Sequence, residues 1–404
     1  MSTSLLYHAW GLRGYRYVRT EYVAGAVRFG VEHDPSAFHC PACGSCRVER
    51  AGVVPRTFRS LPVGGKAVFI ELPVQRVWCA ACAKTRQATL GFADERRTYT
   101  RAFERYALEL SGRMTIKGVA EHLGVGWDLV KDIQKRNLGR RFARPKLKHL
   151  KHIAIDEIYL GGRRGYLTLV LDLDCGAVVF VGQGKGADAL DPFWKKLRGS
   201  GAKVKAVATD MSAAYTAAVA ANLPKARHVF DRFHVVKLFN EKLSELRRAV
   251  QREAEEKLHK AVLKGTRWLL LKHPDNLDEA KGERARLEEA LALNKSLATA
   301  YYLKEDLRQL WEQPDKRAAG RFLDDWVKRA QCSGVRVLQQ FAVTLAGHRS
   351  GILAYYDCPI STGPLEGTNN KIRTMQRQAY GFRDDEFFRL KLYALHESTY
   401  ALVG

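Results

Sequence analysis

Several features are scarce in this 404-residue sequence, and each scarcity excludes something. No stretch reaches the roughly 18 uninterrupted apolar residues that a membrane-crossing helix needs, so no membrane association is expected. The opening MSTSLLYHAWGLRGYRYV lacks a basic start, an apolar core and a small-residue cleavage site, so it does not read as a secretion signal. A cytoplasmic location is expected, where thiols stay reduced. The eight cysteines are then better read as metal ligands or core residues than as disulfides. Low-complexity tracts and repeats of solenoid period are absent. Acidic residues are also short, with 43 Asp and Glu against 67 Lys and Arg, a net charge of +24. Such a surplus sits mostly on the surface and attracts polyanions. Phosphate neutralisation makes nucleic acid the first expectation, ahead of a merely soluble or ribosome-associated basic protein.

What is present changes character along the chain, as expected for a multidomain α/β protein. Residues 1–95 are β-rich and punctuated by Gly and Pro; the run KAVFIELPVQRVW after the turn signal PVGG reads as part of a hairpin. Residues 96–150 read as short helices followed by the basic linker RRFARPKLKHLKH. Residues 151–235 alternate strand and helix in the order three strands, helix, strand, helix, strand. Residues 236–350 are helical in composition and heavily charged, as in NEKLSELRRAVQREAEEKLHKAV. Residues 351–404 return to a loop and a helix-rich tail.

Two Cys-x-x-Cys pairs, Cys40 with Cys43 and Cys79 with Cys82, flank the hairpin pattern. A two-residue spacer lets both thiolates of a pair face one ion, so four of them fit a closed, structural zinc site. Cys46 is a rival ligand that breaks the pairing; Cys175, Cys332 and Cys358 stand alone and read as packing residues. Buried free cysteines are the other reading of the pairs.

In TIKGVAEHLGVGWDLVKDIQKRNL two apolar stripes meet at Gly124: Ile116, Val119, Ala120 and Leu123, then Val125, Leu129, Val130 and Ile133. The short link suits a helix-turn-helix. Its second helix begins near Trp127 and carries Lys131, Lys135 and Arg136, with Arg140 and Arg141 leading into the linker. That helix is expected to enter the major groove of double-stranded DNA while the linker follows phosphates. A helical hairpin with a solvated face is the alternative.

Three carboxylates carry the chemistry. Asp156 lies among apolar neighbours in IAIDEIYL, where an unpartnered charge is costly. Asp210 ends the strand VKAVATD, at the end of the sheet where α/β folds bind ligands. Glu366 lies in STGPLEGTNNKIRTMQR, a broken loop feeding a basic helix. A strand-end Asp is as readily a helix cap. Together, two Asp on neighbouring strands and a Glu on a later helix suit two Mg²⁺ ions about 4 Å apart.

CPACG and WCAAC, the helix-turn-helix, IAIDEIYLGG, ATDMSAAY, DRFHVVKLFNE and STGPLEGTNNKIRTMQRQAYGFRDDEFFRL follow one another in the order found in DDE transposases of bacterial insertion sequences. The chain resembles that group over nearly its whole length, and most closely its ISL-three family. The resemblance implies a ribonuclease H-like mixed sheet with flanking helices and a helical insertion, preceded by a zinc ribbon and a helix-turn-helix. It implies Asp156, Asp210 and Glu366 as ligands of two Mg²⁺ or Mn²⁺ ions, with His234 of the Asp231-Arg-Phe-His234 string touching the scissile phosphate or orienting the metal site. A helix-start His packed under the sheet is equally compatible. Asn369, Asn370, Lys371, Arg373 and Arg377 are expected on the DNA side of the Glu366 helix. Trp268, Trp311 and Trp326 read as core residues of the insertion. The implied partners are element ends and target DNA, bound in the nucleoid by a dimer or larger assembly. A catalytically inactive regulator descended from a transposase, and a nuclease acting on RNA, are the rival functions.

Overall fold

A computed structural model describes residues 5–34, 38–253, 263 and 266–397, which fall into two compact units: the chain up to residue 143 together with Glu397, and residues 144–396.

The first unit opens with helix α1 (Leu5–Trp10) and a five-stranded sheet of β1 (Tyr15–Val23), β2 (Ala26–His33), β3 (Val48–Val63), β4 (Lys66–Cys79) and β5 (Lys84–Gln87). The order is β1-β2-β4-β3. Val68–Glu71 of β4 pair in parallel with β2, and its last four residues pair antiparallel with β5. The β3–β4 hairpin turns through Gly64 and Gly65, whose φ of 55° and 77° suit a two-residue turn matching strand twist. Alternate residues Val68, Ile70, Leu72 and Val74 face a core of Trp10, Val31, Phe58 and Phe92.

Helices α2 (Arg101–Ser111), α3 (Ile116–Leu123) and α4 (Trp127–Phe142) follow. Thr100 and Thr115 cap α2 and α3 by accepting from the backbone N–H of Phe103 (3.1 Å) and Gly118 (3.0 Å). Gly124 ends α3 at φ 59°, a left-handed position that favours glycine. Val119, Ala120, Leu123, Val130 and Ile133 of the expected stripes close on Phe103 and Ala107. Ile116, Val125 and Leu129 are only partly buried beside them.

The second unit is built on β6 (His152–Tyr159), β7 (Tyr166–Asp172), β8 (Val178–Gln183), β9 (Ala206–Thr209) and β10 (Arg227–Phe230), ordered β10-β9-β6-β7-β8. The first three form an antiparallel meander, and β9 and β10 add in parallel with β6. Between them run α5 (Asp191–Ser200) and α6 (Ala213–Asn222), whose Phe193, Trp194, Leu197, Tyr215 and Val219 cover one face against Ile153, Ile155, Val170 and Val207. This is the ribonuclease H-like arrangement.

Helices α7 (Arg232–Glu253), α8 (Arg267–Leu271), α9 (Glu283–Ala292), α10 (Lys295–Arg308), α11 (Lys316–Gln331), α12 (Arg336–Gly347) and α13 (Arg349–Leu353) pack around Phe239, Leu307, Trp326 and Phe341. Trp326 is fully buried and donates to the Leu303 carbonyl at 2.9 Å. Trp311 is partly buried against the same core. Trp268 departs from the core reading: it is 65% exposed, with the Arg267 guanidinium 4.8 Å from its ring. Its helix α8 has five residues and buries Leu269 and Leu270 instead. The chain then returns to the sheet as α14 (Gly363–Gln378), packed on β6, and α15 (Asp385–Tyr393), packed on β8.

Candidate active site and zinc centre

The two Cys pairs meet at the open end of the β3–β4 hairpin. Cys40 and Cys43 precede β3, Cys79 ends β4, and Val48 pairs with Cys79. Cys40 Sγ lies 3.9 Å from Cys82 Sγ, and Cys43 Sγ 3.6 Å from Cys79 Sγ. All four sulfurs lie within 4.8 Å of one another. A zinc tetrahedron with arms of about 2.3 Å has edges of about 3.8 Å, so the donor set fits the ion. The backbone N–H groups of Cys43 and Ala42 hold the Cys40 thiol below its ordinary value, while hydrogen bonding to Cys43 and burial push Cys82 up. Four thiols this close cannot all ionise without a cation among them. Cys46 is exposed and outside the cluster.

On α4, Trp127 is 47% exposed at the helix start, with Lys131 Nζ 5.5 Å from its ring. Lys131 and Lys135 are half-buried. The basic residues further along also make contacts within the domain. Arg136 is 25% exposed, bonds the Tyr99 hydroxyl, and lies 3.8 Å from Glu104, a buried residue of α2. Arg140 pairs with the same Glu104 at 2.8 Å, and Arg141 pairs with Glu397. Within the domain Arg136 ties α4 to α2, because a buried carboxylate draws the nearest guanidinium inward.

In the second unit, Ala154 on β6 pairs with Ala208 on β9 in parallel register. Asp156 lies two residues on in β6 and Asp210 directly follows β9, near enough for the Asp210 charge to act on Asp156. Glu157 points to the opposite face, where it accepts from the Tyr215 hydroxyl at 2.6 Å and the Gly186 N–H at 3.1 Å. The Asp156 carboxyl is raised above its ordinary value, chiefly by burial, with the Asp210 charge adding to it; the Glu157 N–H and His234 pull the other way. Asp210 accepts the Ser212 N–H at 3.0 Å, so it also shapes the turn into α6.

Glu366 returns after 155 intervening residues on the first turn of α14, where its side chain is exposed. Two contacts seat that helix. Asn369, one turn after Glu366, donates from Nδ2 to Asp156 Oδ2 at 3.1 Å. Thr362, just before the helix, donates its N–H to Asp231 Oδ1 at 3.2 Å. Asp231 lies one residue beyond β10 and is fully buried; its Oδ2 meets His234 Nδ1 at 3.3 Å in the first turn of α7. Burial alone would raise the Asp231 carboxyl, but the hydrogen bonds from His234 and Thr362 take it below its ordinary value. Burial likewise works against charge on His234. The bond to Asp231 and the fields of Asp156 and Asp210 nonetheless hold the imidazole above its ordinary value. Protonation of His234 is therefore favoured by the aspartates that surround it.

Asn370, Lys371, Arg373 and Arg377 are exposed on α14. Asn369 does not join them: it is 5% exposed and turned to Asp156, because it lies on the buried stripe with Leu365 and Ile372. The supporting roles of Asp231 and Thr362 emerge in the fold. A threonine two residues before a proline at a helix start was the signal for one, and the carboxylate three residues before His234 for the other. The oxygen-only donors Asp156, Asp210 and Glu366, with a buried carboxyl disfavoured by its neighbour's charge, suit a hard divalent cation. Among the described residues the three do not place one oxygen each within 4.8 Å of the others. That spacing is compatible with ligands shared between two ions rather than clustered on one.

Three family profiles match the chain in order. These are the zinc-finger of transposase IS204/IS1001/IS1096/IS1165 over residues 36–82, the helix-turn-helix domain of transposase family ISL3 over 88–136, and the ISL3 transposase DDE domain over 153–392. The transposase for insertion sequence element IS1001 of Bordetella parapertussis is 32% identical over 391 residues, covering 95% of this chain and 96% of that protein. The transposase for insertion sequence element IS1557 of Mycobacterium tuberculosis is 29% identical over 374 residues, covering 85% and 83%. Among solved structures, the Drosophila P element transposase strand transfer complex aligns with a TM-score of 0.35 and 11% identity, over 63% of this chain and 78% of that one, too slight a likeness to argue from.

Proposed function

The chain belongs to the ISL3 family of transposases, and from that premise we propose that it binds the terminal inverted repeats of its own insertion sequence, cleaves DNA strands at the element ends and transfers them to target DNA. The observation that carries this reading is the parallel register of β6, which carries Asp156, with β9, which Asp210 directly follows, together with the Glu366 helix pinned to Asp156 through Asn369. Asp156, Asp210 and Glu366 would hold the divalent cations. A bound pair of Mg²⁺ or Mn²⁺ ions would activate the attacking oxygen and neutralise charge on the leaving one.

The protein's own residues do the rest. Asp231 fixes His234 through Nδ1, and an imidazole whose proton is favoured by the neighbouring aspartates would balance a phosphate brought against them. Asn370, Lys371, Arg373 and Arg377 form the exposed face of α14 and would follow the scissile strand's backbone. Trp127, Lys131 and Lys135 stand at the start of the recognition helix, and the zinc-bound ribbon would add a second end contact. Joining two ends calls for at least a dimer on DNA, in the nucleoid.

Asp156→Asn tests the assignment. It should abolish Mg²⁺-dependent nicking of DNA carrying the element ends while leaving end binding intact. A variant that still cuts would overturn it. A wild-type chain that binds ends but never nicks would favour the inactive regulator, and preferential cutting of RNA would favour the nuclease.

A further inference from the structure

We propose that Asn369 is a further oxygen ligand of the divalent cation held at Asp156, its side-chain amide oxygen binding beside the Asp156 carboxylate. The proposal rests on the metal-site reading above and extends it to a residue outside the three carboxylates.

Asn369 is almost fully buried, which is unusual for an amide on the outer helix of a site. Its Nδ2 is satisfied by Asp156 Oδ2 at 3.1 Å. Its Oδ1 is buried as well and has no hydrogen-bond partner among the described residues. Buried amide oxygens are almost always paired, so this amide is only half satisfied by the metal-free fold. The two ends of an amide are nearly isosteric, so a half-turn of the group exchanges them without moving the backbone. It would place the oxygen where the nitrogen now lies, 3.1 Å from Asp156 Oδ2. Adjacent oxygens on an octahedral cation with arms of about 2.1 Å lie about 3.0 Å apart. The observed separation is therefore that of two neighbouring ligands.

Charge decides which end faces Asp156. Without a cation the carboxylate attracts the N–H and repels the amide oxygen; with one between them the preference inverts. Asn369 thus supports Asp156 in both states, and it does so one turn from Glu366, so the same contact keeps α14 in register.

The test uses zinc-loaded, full-length protein and Mn²⁺ as the probe. Binding is followed by titration calorimetry, and the rise in Tm on adding Mn²⁺ is followed by calorimetric scanning, both without DNA. Asn369→Leu keeps the shape and loses the donor; Mn²⁺ affinity should fall at least tenfold. Asn369→Asp keeps an oxygen donor but sets a second carboxylate against Asp156. It should lower Tm without metal and show a larger Mn²⁺-induced rise than the wild type. A residue that only pins the helix gives no such rescue. Wild-type Mn²⁺ affinity in Asn369→Leu would overturn the ligand assignment while leaving the carboxylate site intact. Wild-type affinity in Asp156→Asn would instead overturn the carboxylate site, and this proposal with it.

Discussion

Gly351 in α13 lies directly against Phe230, the last residue of β10 and the neighbour of Asp231. A Cβ at Gly351 would fall 2.4 Å from Phe230 Cδ2 and Cε2 and 3.1 Å from Cγ. Carbon atoms settle at about 3.5–4.0 Å, so the ring would have to retreat by roughly 1 Å. It has no room: Phe230 is 3% exposed, and the His228 and His348 rings sit 4.6 and 5.1 Å from its centroid. Overpacking of this kind costs about 1–3 kcal/mol, against a helix-propensity gain of up to about 1 kcal/mol from replacing glycine. Gly351→Ala is therefore expected to destabilise the second unit by about 1–2 kcal/mol, a fall in Tm of about 2–8 °C by differential scanning calorimetry. Because Asp231 holds both His234 and Thr362, strand cleavage should fall as well. An unchanged or higher Tm would refute the packing argument. Gly367→Ala is the control: the added methyl meets no heavy atom within 4 Å. It should stabilise α14 by about 0.5–1 kcal/mol.

Two further outcomes follow from the two centres. Cys43→Ser should abolish the bound zinc measured by atomic absorption and open residues 36–82 to protease, whereas Cys46→Ser should retain the full zinc content. Zinc loss in the Cys46 variant would reassign the ligands. The raised carboxyl of Asp156 makes the metal-free fold hold its proton more tightly than the unfolded chain does. The stability this confers is fully present below the ordinary carboxylate range and is lost as pH rises through the raised value. Metal-free Asp156→Asn should therefore be more stable than the wild type at neutral pH, with the difference shrinking as pH falls toward that range. Greater stability of the wild type at pH 7 would contradict the burial argument.

The catalytic sheet was legible because its signals are local. Three β runs, two helices with apolar stripes and two short β runs dictate the order of elements, and a strand-end aspartate announces itself. In the first unit β4 matches the run KAVFIELPVQRVW plus one residue, while β3 reaches 16 residues because pairing with β4 carries it through polar positions. The fate of Arg136 and Arg140 was not legible, since their partner Glu104 lies on another helix and only the packed bundle brings the three together.

Asn369 is the more instructive case. Leu365, Ile372 and Met375 are spaced seven and three residues apart, which sets a buried stripe along α14, and Asn369 falls on it, four residues after Leu365 and three before Ile372. Reading the residues after Glu366 as a basic DNA face grouped Asn369 with Lys371 and Arg373 by chemistry, although the helical period separates them. A polar side chain on an apolar stripe is a local inconsistency, and such inconsistencies concentrate at functional sites. Here it resolves into the contact that docks the Glu366 helix on Asp156. The same period that identifies the helix core thus also identifies the residue that docks it.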